Sequence, residues 1–434
     1  MFIKREQELE LLNKSYNEPN STIDFIFGPI SSGKTALINE FSKEKDTLYI
    51  SSYEMFPSLF FTKLANIINN FFEQKDINFK INNFLDLLEF LDAQKIENKL
   101  IIVFDDFHNV QKVDKNALTN LLTFWKKKLK NKNIHLVISS SIFFQDSFDK
   151  DINKHSNNRI TLDYLDFTAI KSLFPKMNKL DQLYVYSLLG TSSSNLKYYN
   201  VQKDFTENIY NLFLSQNAFL FDYGIRVLKN EISDIGTYSS ILYAISQGNT
   251  KIGDIANSLD VKSTYLTRYM QKLIDMMIVK KVVPLGEDVK KSKFGRYEIV
   301  DNTLKFWFSY IYPNYSNLQS SNVSKVTKQI EDEFISKSVF LSYKKCIKEI
   351  IYKQQKEIFG YEPNFIGSWW DNNNNNIDLI AYNKRYITFV QILWEDKDLA
   401  KISYSKLKSS SDKFETTLEK KYIIITKNTF FNMK

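Results

Sequence analysis

Short apolar runs alternate with longer amphipathic segments through the first third of the chain. Runs that are apolar at successive positions predict buried strands of a parallel sheet, because such strands are covered on both faces. They are Ile23–Phe27, Thr47–Ser52, Leu100–Phe104 and Ile134–Ser141. Spacings of three and four predict helices, at residues 1–20, Met55–Phe72, Phe84–Leu91 and 114–130. This alternation predicts an α/β fold built on a parallel sheet.

Helical spacing predominates from residue 165 to residue 277. Residues 165–230 are expected to be helical, most clearly over Tyr184–Leu189 and Thr206–Leu228, and to form a lid. Three further helices and two short strands follow, at Tyr238–Gln247, Ile252–Leu259, Thr264–Met277, Ile278–Val283 and Gly295–Val300. Three helices followed by a hairpin predict a winged helix-turn-helix.

The last third begins with a densely aromatic segment, Asn302–Ser316. We expect a buried helix there, in preference to a platform for stacking bases. Ser316–Thr327 is polar and predicts a connector, and residues 328–360 predict helices. Beyond them the predicted strands are Asn364–Trp370, Ile377–Ala381, Tyr386–Trp394 and Lys421–Thr426, with an Asn-rich turn at 372–376. The domain boundaries predicted from these patterns are 1–165, 166–230, 231–315 and 316–434.

Composition adds only a few constraints on the fold and function of the chain. A chain of 434 residues with 43% hydrophobic positions is long enough for two to four globular domains. Its net charge of +8 is mild for this length and is compatible with a polyanionic partner or with solvated helix faces. The single cysteine, Cys346, excludes an intrachain disulfide. The charged start, without an apolar leader, and the short apolar runs lead us to expect a cytoplasmic protein with no membrane partner.

A glycine-bounded loop between the first strand and the next helix carries the strongest chemical motif. Residues 28–35 read Gly-Pro-Ile-Ser-Ser-Gly-Lys-Thr, which matches the G-x-x-x-x-G-K-[ST] phosphate loop. Its predicted ATP-binding residues are Gly28, Pro29, Ile30, Ser31, Ser32, Gly33, Lys34, Thr35 and Ala36. Backbone N–H groups and the helix N-terminus favour a polyphosphate there. Lys34 adds charge at the β- and γ-phosphates, and the Thr35 hydroxyl is a suitable Mg²⁺ ligand.

Two acidic residues follow the third predicted strand. Asp105 would hold Mg²⁺, and Asp106 would orient the attacking water, as in phosphate-loop hydrolases. The fourth strand ends in hydroxyls, of which Ser139 and Ser141 are candidates for sensing the γ-phosphate. The alternative is an apolar strand that ends in an Asp-rich turn. We favour the magnesium site, with Lys34 and Asp106 as the catalytic pair.

The predicted winged helix offers basic and polar groups for a second partner. Its third helix carries Arg268, and its wing carries Lys290, Lys291, Lys293 and Arg296. These residues predict contacts with DNA bases and phosphates. Docking of another protein, or of the attached domain, explains them equally well.

Motifs spread over most of the chain resemble the AAA/STAND-type P-loop ATPases of archaea and some bacteria. Besides the phosphate loop, they are Phe2–Leu9, Asp105–Asp106, Ser139–Ser141, Gly190, Lys291–Asn302, Phe306–Trp307, Gly367–Trp370 and Ile377–Asp378. The resemblance implies a nucleotide switch in which a winged helix precedes a restriction-endonuclease-like, PD-(D/E)xK-type domain. It also implies that Arg5 and Glu6 lie near the base of the nucleotide, and it suggests nucleotide-dependent self-assembly. An ordinary N-terminal helix is the alternative for Arg5 and Glu6, and a surface position is the alternative to a γ-phosphate contact for Arg159.

The chain departs from that family at three places. Asp106 stands where the family has Glu, which predicts slow hydrolysis because the side chain is one methylene shorter. The family's Gly-Gly-x-Pro segment is replaced by Gly190-Thr-Ser-Ser-Ser194, without the proline. Gln391 and Leu393 replace the Glu-x-Lys that would accompany Asp378 in a nuclease. We therefore expect no nuclease activity.

Three functions stay open at the level of sequence. The first is an ATP-binding, slowly hydrolysing molecular switch coupled to the winged helix. The second is a DNA-binding regulator whose affinity is tuned by ATP. The third is an interaction scaffold without catalysis.

Overall fold

The computed structural model describes residues 4–432, apart from 54, 73–79, 142–145, 230–231, 233, 321, 374 and 395–396. Phe2 of the entry motif and Asn374 of the Asn-rich turn therefore lie outside the described residues. The chain divides into two compact units. The first contains Met1–Leu165, Ser192–Ser194 and Asp275–Met277, and the second contains the remaining residues.

A five-stranded parallel sheet forms the centre of the first unit. Its strands are β1 (Thr22–Phe27), β2 (Thr47–Ser51), β3 (Leu100–Asp105), β4 (Ile134–Ser140) and β5 (Asn158–Thr161). Their order in the sheet is β2-β3-β4-β1-β5, and all neighbouring pairs are parallel. The parallel α/β sheet predicted from the apolar runs is confirmed. Strand β5, which has no comparable apolar run, was not predicted.

Alternation along the strands sends side chains into two separate cores. Phe25 and Phe27 of β1 belong to one core, while Ile26 belongs to the other. The helices of this unit cover both faces. They are α1 (Glu6–Tyr16), α2 (Lys34–Phe41), α3 (Pro57–Phe71), α4 (Phe84–Ala93), α5 (His108–Val113), α6 (Ala117–Lys127) and α7 (Asp146–His155), with a 3-10 turn at Leu129–Asn131. Burial on both faces explains why these strands are apolar at successive positions.

Short helices follow β5 along the chain. They are α8 (Thr168–Leu173), α9 (Lys179–Leu189), α10 (Ser193–Leu196), α11 (Phe205–Ile209) and α12 (Tyr223–Lys229). A π-helical stretch at Tyr210–Leu214 ends α11, and residues 215–222 form turns. The single helix predicted over Thr206–Leu228 is therefore wrong. Leu212, Phe213, Leu214 and Leu220 are apolar and buried on both sides of the break, so the pattern alone did not reveal it.

Three helices and an antiparallel hairpin follow. The helices are α13 (Ile235–Ser246), α14 (Ile252–Ser258) and α15 (Ser263–Asp275), and the strands are β6 (Val279–Val282) and β7 (Arg296–Ile299). The aromatic segment then forms α16 (Asn302–Phe306) and a π-helical stretch, Trp307–Ile311. Trp307 is fully buried and donates its indole N–H to the Phe221 carbonyl at 2.7 Å. This segment is core, as predicted.

Helices occupy the predicted connector at residues 316–327. After a 3-10 turn at Tyr312–Asn314 come α17 (Tyr315–Gln319), α18 (Val323–Phe334), a π-helical stretch (Ile335–Val339), α19 (Phe340–Lys353) and α20 (Gln355–Phe359). The connector prediction is wrong because α18 is amphipathic. It buries only Val326, Ile330 and Phe334 and leaves its polar side chains outside.

A four-stranded mixed sheet ends the second unit. Its strands are β8 (Phe365–Trp370), β9 (Asn376–Tyr382), β10 (Tyr386–Ile392) and β11 (Glu419–Ile425), in the order β11-β10-β9-β8. Strands β8, β9 and β10 pair in antiparallel fashion, whereas β10 and β11 are parallel and are joined through α21 (Lys397–Ser411). Helix α22 (Lys427–Asn432) follows. Among the described residues, the helices are too short or too polar to cross a bilayer.

Candidate functional site at the phosphate loop

The glycine-bounded loop joins the end of β1 to the start of α2. Gly33 has a φ of +95°, and Ser31 has a φ of +65°, so the chain turns through the left-handed region twice. Such angles are readily adopted by glycine and are uncommon for serine. A Cβ on Gly28 would lie 2.7 Å from the Leu162 carbonyl oxygen. The loop therefore follows a path that only glycine permits at two positions, and it ends at the N-terminus of an eight-residue helix.

Lys34 lies across this loop. Its side chain is buried, and Nζ donates to the carbonyls of Gly28 at 2.9 Å and Pro29 at 3.1 Å. The ammonium is therefore held by carbonyls of the loop itself, which a phosphate could replace as its partner. Thr35, the next residue, is exposed at the first turn of α2.

Asp105 is the last residue of β3, and its carboxylate accepts hydrogen bonds from one helix and two strands, α2, β2 and β4. Its Oδ2 accepts from the Thr35 hydroxyl at 2.8 Å and from the Tyr49 hydroxyl at 2.6 Å. Its Oδ1 accepts from the Ser139 hydroxyl. Burial, and then the nearby Asp105 carboxylate, raise the pKa of Tyr49 well above its ordinary value. Tyr49 therefore remains a proton donor at every physiological pH.

Ser139 connects the two acidic residues. Its hydroxyl donates to Asp105 and accepts the backbone N–H of Asp106 at 3.1 Å, while its carbonyl accepts the N–H of Phe107 at 2.8 Å. Asp106 has a φ of +58°, an uncommon conformation for a residue other than glycine. Ser139 is fully buried. Ser139 is therefore placed to orient Asp105 and Asp106. The sequence had predicted instead that it contacts a phosphate directly.

These residues open onto a cleft of about 370 Å³. The lining residues are Thr35, Asn39, Tyr49, Ser51, Tyr53, Asp105 and Asp106. Tyr49, Ser51 and Tyr53 were missed in the sequence analysis. Their spacing of two places all three side chains on one side of β2 and of its extension. That alternation was visible in the sequence, but the order of the strands, which brings β2 next to β3, was not.

Two side chains brace the loop through its carbonyl groups. The Arg5 guanidinium donates to the carbonyls of Ser32, at 3.3 Å, and Asp163, and it pairs with Glu8 at 2.9 Å. The Tyr164 hydroxyl donates to the Ile30 carbonyl at 2.8 Å. Arg5 therefore lies at the phosphate loop.

The other two residues predicted to lie near the nucleotide are Glu6 and Arg159. Glu6 is exposed. The Arg159 guanidinium lies over the Phe27 ring, 5.2 Å from its centre.

Thr35 and Asp105 offer the hard oxygen ligands that Mg²⁺ prefers, one hydroxyl and one carboxylate. The two atoms are already 2.8 Å apart, so a single cation could contact both. Among the described residues, no group of three His, Cys, Asp or Glu side chains could hold a metal ion. A cation at this site would accordingly take its remaining ligands from phosphate and water, as Mg²⁺ commonly does in phosphate-loop proteins.

The basic residues predicted to contact DNA differ from one another in their exposure and contacts. Lys290, Lys291 and Lys293 are exposed on the hairpin connection. Arg268 is also exposed, and it stacks over Tyr269 at 4.7 Å. Arg296 instead lies over the Trp370 ring, 4.5 Å from its centre. Arg296 is therefore half-buried and packs within the second unit, and its contact with DNA stays a prediction.

Asp378 on β9 is held by nitrogen donors. Its carboxylate accepts from Lys344 Nζ at 2.8 Å, from Gln391 Nε2 at 2.6 Å and from the Ile392 N–H at 2.8 Å. Gln391 thus contacts Asp378 as a neutral hydrogen-bond donor.

Comparisons with known proteins agree with the geometry of the first unit. Residues 2–199 match the model of a family described as an ATPase domain predominantly from Archaea. Residues 307–407 match a family of archaeal and bacterial proteins of unknown function. The first part of the chain is thus similar to archaeal ATPase domains.

Individual relatives extend this similarity. An uncharacterized protein of Methanocaldococcus jannaschii is 28% identical over 98% of this chain and 96% of its own length. An uncharacterized ATP-binding protein of Pyrococcus horikoshii is 26% identical over 34% of this chain and 58% of its own length. The Walker-type ATPase of Pyrococcus abyssi has a similar fold, with a TM-score of 0.51, 16% identity, and coverage of 71% of this chain and 96% of that one.

Proposed function

We propose that this chain is an ATP-binding molecular switch that hydrolyses ATP slowly. The observation that carries the proposal is the contact between Thr35 and Asp105 at the cleft beside the phosphate loop. It brings two oxygen ligands together at a helix N-terminus, where a polyphosphate and its cation are both favoured. The similarity to ATP-binding relatives supports the same proposal.

Each residue has a defined role in this proposal. The backbone of residues 28–36 cradles the phosphates, and Lys34 neutralises their charge. Thr35 and Asp105 would hold Mg²⁺, which neutralises charge on the phosphates when it is bound. Ser139 and Tyr49 fix the orientation of Asp105, and Asp106 orients the water that attacks the terminal phosphate.

Isothermal titration of the full chain with ATP and Mg²⁺ tests the binding step. Lys34→Ala should abolish detectable heat because the ammonium is the only side-chain cation that we place on the phosphates. Lys45→Ala, four residues beyond the end of α2, is the matched control and should bind like the parent. Equal binding by the Lys34→Ala chain would contradict the proposed site.

The rate of hydrolysis depends on Asp106. Because its carboxylate is one methylene shorter than that of glutamate, Asp106→Glu should raise steady-state phosphate release, by roughly tenfold for a better positioned general base. Ser139→Ala in the same assay tests the positioning role and should lower the rate. No gain from Asp106→Glu would count against slow hydrolysis by a short side chain. Complete absence of hydrolysis in both chains would favour the scaffold alternative.

We propose that nucleotide binding controls a winged helix-turn-helix formed by α13, α14, α15 and the β6–β7 hairpin. Binding of DNA by this winged helix-turn-helix is supported by the exposed lysines of the hairpin connection and by the exposed face of α15. That face presents Thr264, Thr267, Arg268 and Gln271. Reversing the charge of Lys290, Lys291 and Lys293 should abolish DNA retardation in a gel and flatten the salt dependence of binding. Retardation unchanged by the reversal would favour protein docking.

A further inference from the structure

Ser194 contacts the phosphate loop from a distant part of the chain. Its hydroxyl donates to the Ser31 hydroxyl at 3.2 Å, across 163 positions of sequence. The segment Ser192–Ser194 belongs to the first unit together with the loop, although the residues on either side of this segment belong to the second unit. The phosphate-loop motif does not include Ser194, and its hydroxyl has no role in the site as described so far.

The Ser194 hydroxyl is itself held by a second serine. The hydroxyl oxygens of Ser192 and Ser194 lie 2.9 Å apart. A hydroxyl carries one proton, and Ser194 gives its proton to Ser31, so Ser192 is the donor in this second contact. Ser192 is only 1% exposed. A short chain of hydroxyls therefore leads from a buried serine to the loop and fixes the direction in which Ser194 donates.

Ser31 is the residue of the loop that most needs such support. Its φ of +65° lies in the left-handed region, which is uncommon for residues other than glycine. Backbone conformations of this kind persist only where the surroundings hold them. The hydrogen bond from Ser194 is made to the side chain of the same residue.

The two neighbours of Ser31 are also held by side chains from outside the loop. The Tyr164 hydroxyl donates to the Ile30 carbonyl at 2.8 Å. The Arg5 guanidinium donates to the Ser32 carbonyl at 3.3 Å. Three consecutive residues of the loop are thus fixed from three separate segments, and Ser194 supplies the central contact.

The contact also orients the hydroxyl of Ser31. Among the described residues, this hydroxyl accepts the hydrogen bond from Ser194 and donates none. Its proton is therefore left for an acceptor at the loop, and a phosphate oxygen is such an acceptor.

We propose that Ser194 is a positioning residue for phosphate binding at the loop. It holds Ser31 in the left-handed conformation and leaves the Ser31 proton for a phosphate oxygen. A loop that already has its binding conformation loses less conformational freedom when a ligand binds, which strengthens binding. This role depends on the binding of ATP proposed for the loop, and it adds to that site a residue that lies far from the motif in sequence.

Titration of the full chain with ATP and Mg²⁺ tests this role. Ser194→Ala should weaken binding by about two- to tenfold, the effect of losing one hydrogen bond. Ser194→Thr retains a hydroxyl and should restore the affinity. Ser193→Ala is the matched control, because Ser193 is the exposed neighbour of Ser194 in α10, and it should bind like the parent.

Steady-state hydrolysis separates positioning from a general loss of structure. In the Ser194→Ala chain, KM should rise more than kcat falls, because bound phosphates themselves hold the loop through its backbone N–H groups. A partly unfolded preparation would instead show a lower kcat with an unchanged KM, which would contradict a positioning role.

A second measurement does not require nucleotide. Hydrogen–deuterium exchange, followed by mass spectrometry, reports how readily the backbone of residues 28–36 opens. Ser194→Ala should speed this exchange several-fold, whereas Ser193→Ala and Ser194→Thr should leave it as in the parent. Equal exchange in the Ser194→Ala and Ser193→Ala chains, or equal affinities for ATP, would overturn the role of Ser194. Faster exchange in the Ser194→Ala chain, with no binding of ATP by the parent, would support the hold of Ser194 on the loop and contradict the proposed function instead.

Discussion

Asp105 has a hydrogen-bond donor on each side of its carboxylate. Thr35 and Tyr49 share Oδ2, and Ser139 holds Oδ1. This arrangement fixes the plane of the carboxylate before any cation arrives. Tyr49 contributes through its hydroxyl alone, and burial beside Asp105 keeps that hydroxyl protonated.

Tyr49→Phe should weaken the contribution of Mg²⁺ to nucleotide binding. Removing a side chain that orients a metal ligand commonly costs about 10- to 100-fold in metal affinity or activity. ATP affinity without Mg²⁺ should stay the same, because Tyr49 bonds the carboxylate. Tyr53→Phe is the control, since Tyr53 lines the same cleft but is 66% exposed. Titrations with and without Mg²⁺ check the difference. A loss of affinity in the absence of Mg²⁺ would show that Tyr49 touches the nucleotide.

Lys305 makes stability depend on pH. Burial, which outweighs the opposing charge of Glu298, lowers the pKa of Lys305 from its ordinary value of 10.5 to about 8 in the folded chain. The unfolded chain therefore binds the proton more tightly. Stability is therefore reduced below pH 8 and recovers as the pH rises toward 10.5. Lys305→Met should raise the free energy of unfolding at pH 7, by up to about 3 kcal/mol, with the gain fading by pH 10. Denaturant unfolding at pH 7, 8.5 and 10 measures this, with Lys325→Met, at an exposed lysine of α18, as the control. A gain that does not change with pH would point to packing.

Close packing at the element scale is clearest where α12 meets the aromatic segment. A Cβ added to Gly224 would lie 2.2 Å from the Trp307 ring. Trp307 is fully buried and tied to the Phe221 carbonyl, so it has little room to move. The glycine is thus required by the close approach of the helix to the indole.

Gly224→Ala should lower the melting temperature, because overpacking a full core costs about 1–3 kcal/mol. Gly236→Ala provides the matched control within α13, where an added Cβ would meet nothing within 4 Å. That change should be neutral or stabilising by up to about 1 kcal/mol, since alanine favours the helix. Thermal unfolding followed by circular dichroism compares the two. Equal melting temperatures would mean that Trp307 can shift at little cost.

Each of the two units contains a site built around an aspartate, and the two sites differ in the groups that surround the carboxylate. The phosphate loop of the first unit presents backbone N–H groups and a pair of oxygen ligands. In the second unit, by contrast, the carboxylate of Asp378 is occupied by nitrogen donors. A cation at Asp378 would have to displace Lys344, which pairs with it at 2.8 Å.

We therefore expect the full chain to leave duplex and single-stranded DNA intact in the presence of Mg²⁺ or Mn²⁺. Gel analysis over several hours measures this, and an Asp378→Ala chain purified in parallel serves as the control for contaminating nucleases. Cleavage by the parent that disappears in the Asp378→Ala chain would show that the site is active after all.

The sequence alone was sufficient to predict the local chemistry of the first unit. Buried parallel strands need apolar side chains on both faces, and the turn after β1 needs glycines, so both are visible as patterns. Lys34, Thr35 and Asp105 follow from the same patterns, because the carboxyl ends of parallel strands meet at one edge of a sheet. Helix α18 was missed because its many polar side chains resemble those of a connector. The break after α11 was missed because the residues on both sides of it are apolar and buried.

Only the tertiary structure decided which distant residues meet. Tyr49 reaches Asp105 because β2 pairs with β3, and Arg296 lies on Trp370 because the hairpin and the last sheet belong to one unit. No local pattern records such contacts, because they depend on the order of strands and the packing of helices. The sequence determined the chemistry that each segment can offer, and the fold determined which of these groups act together.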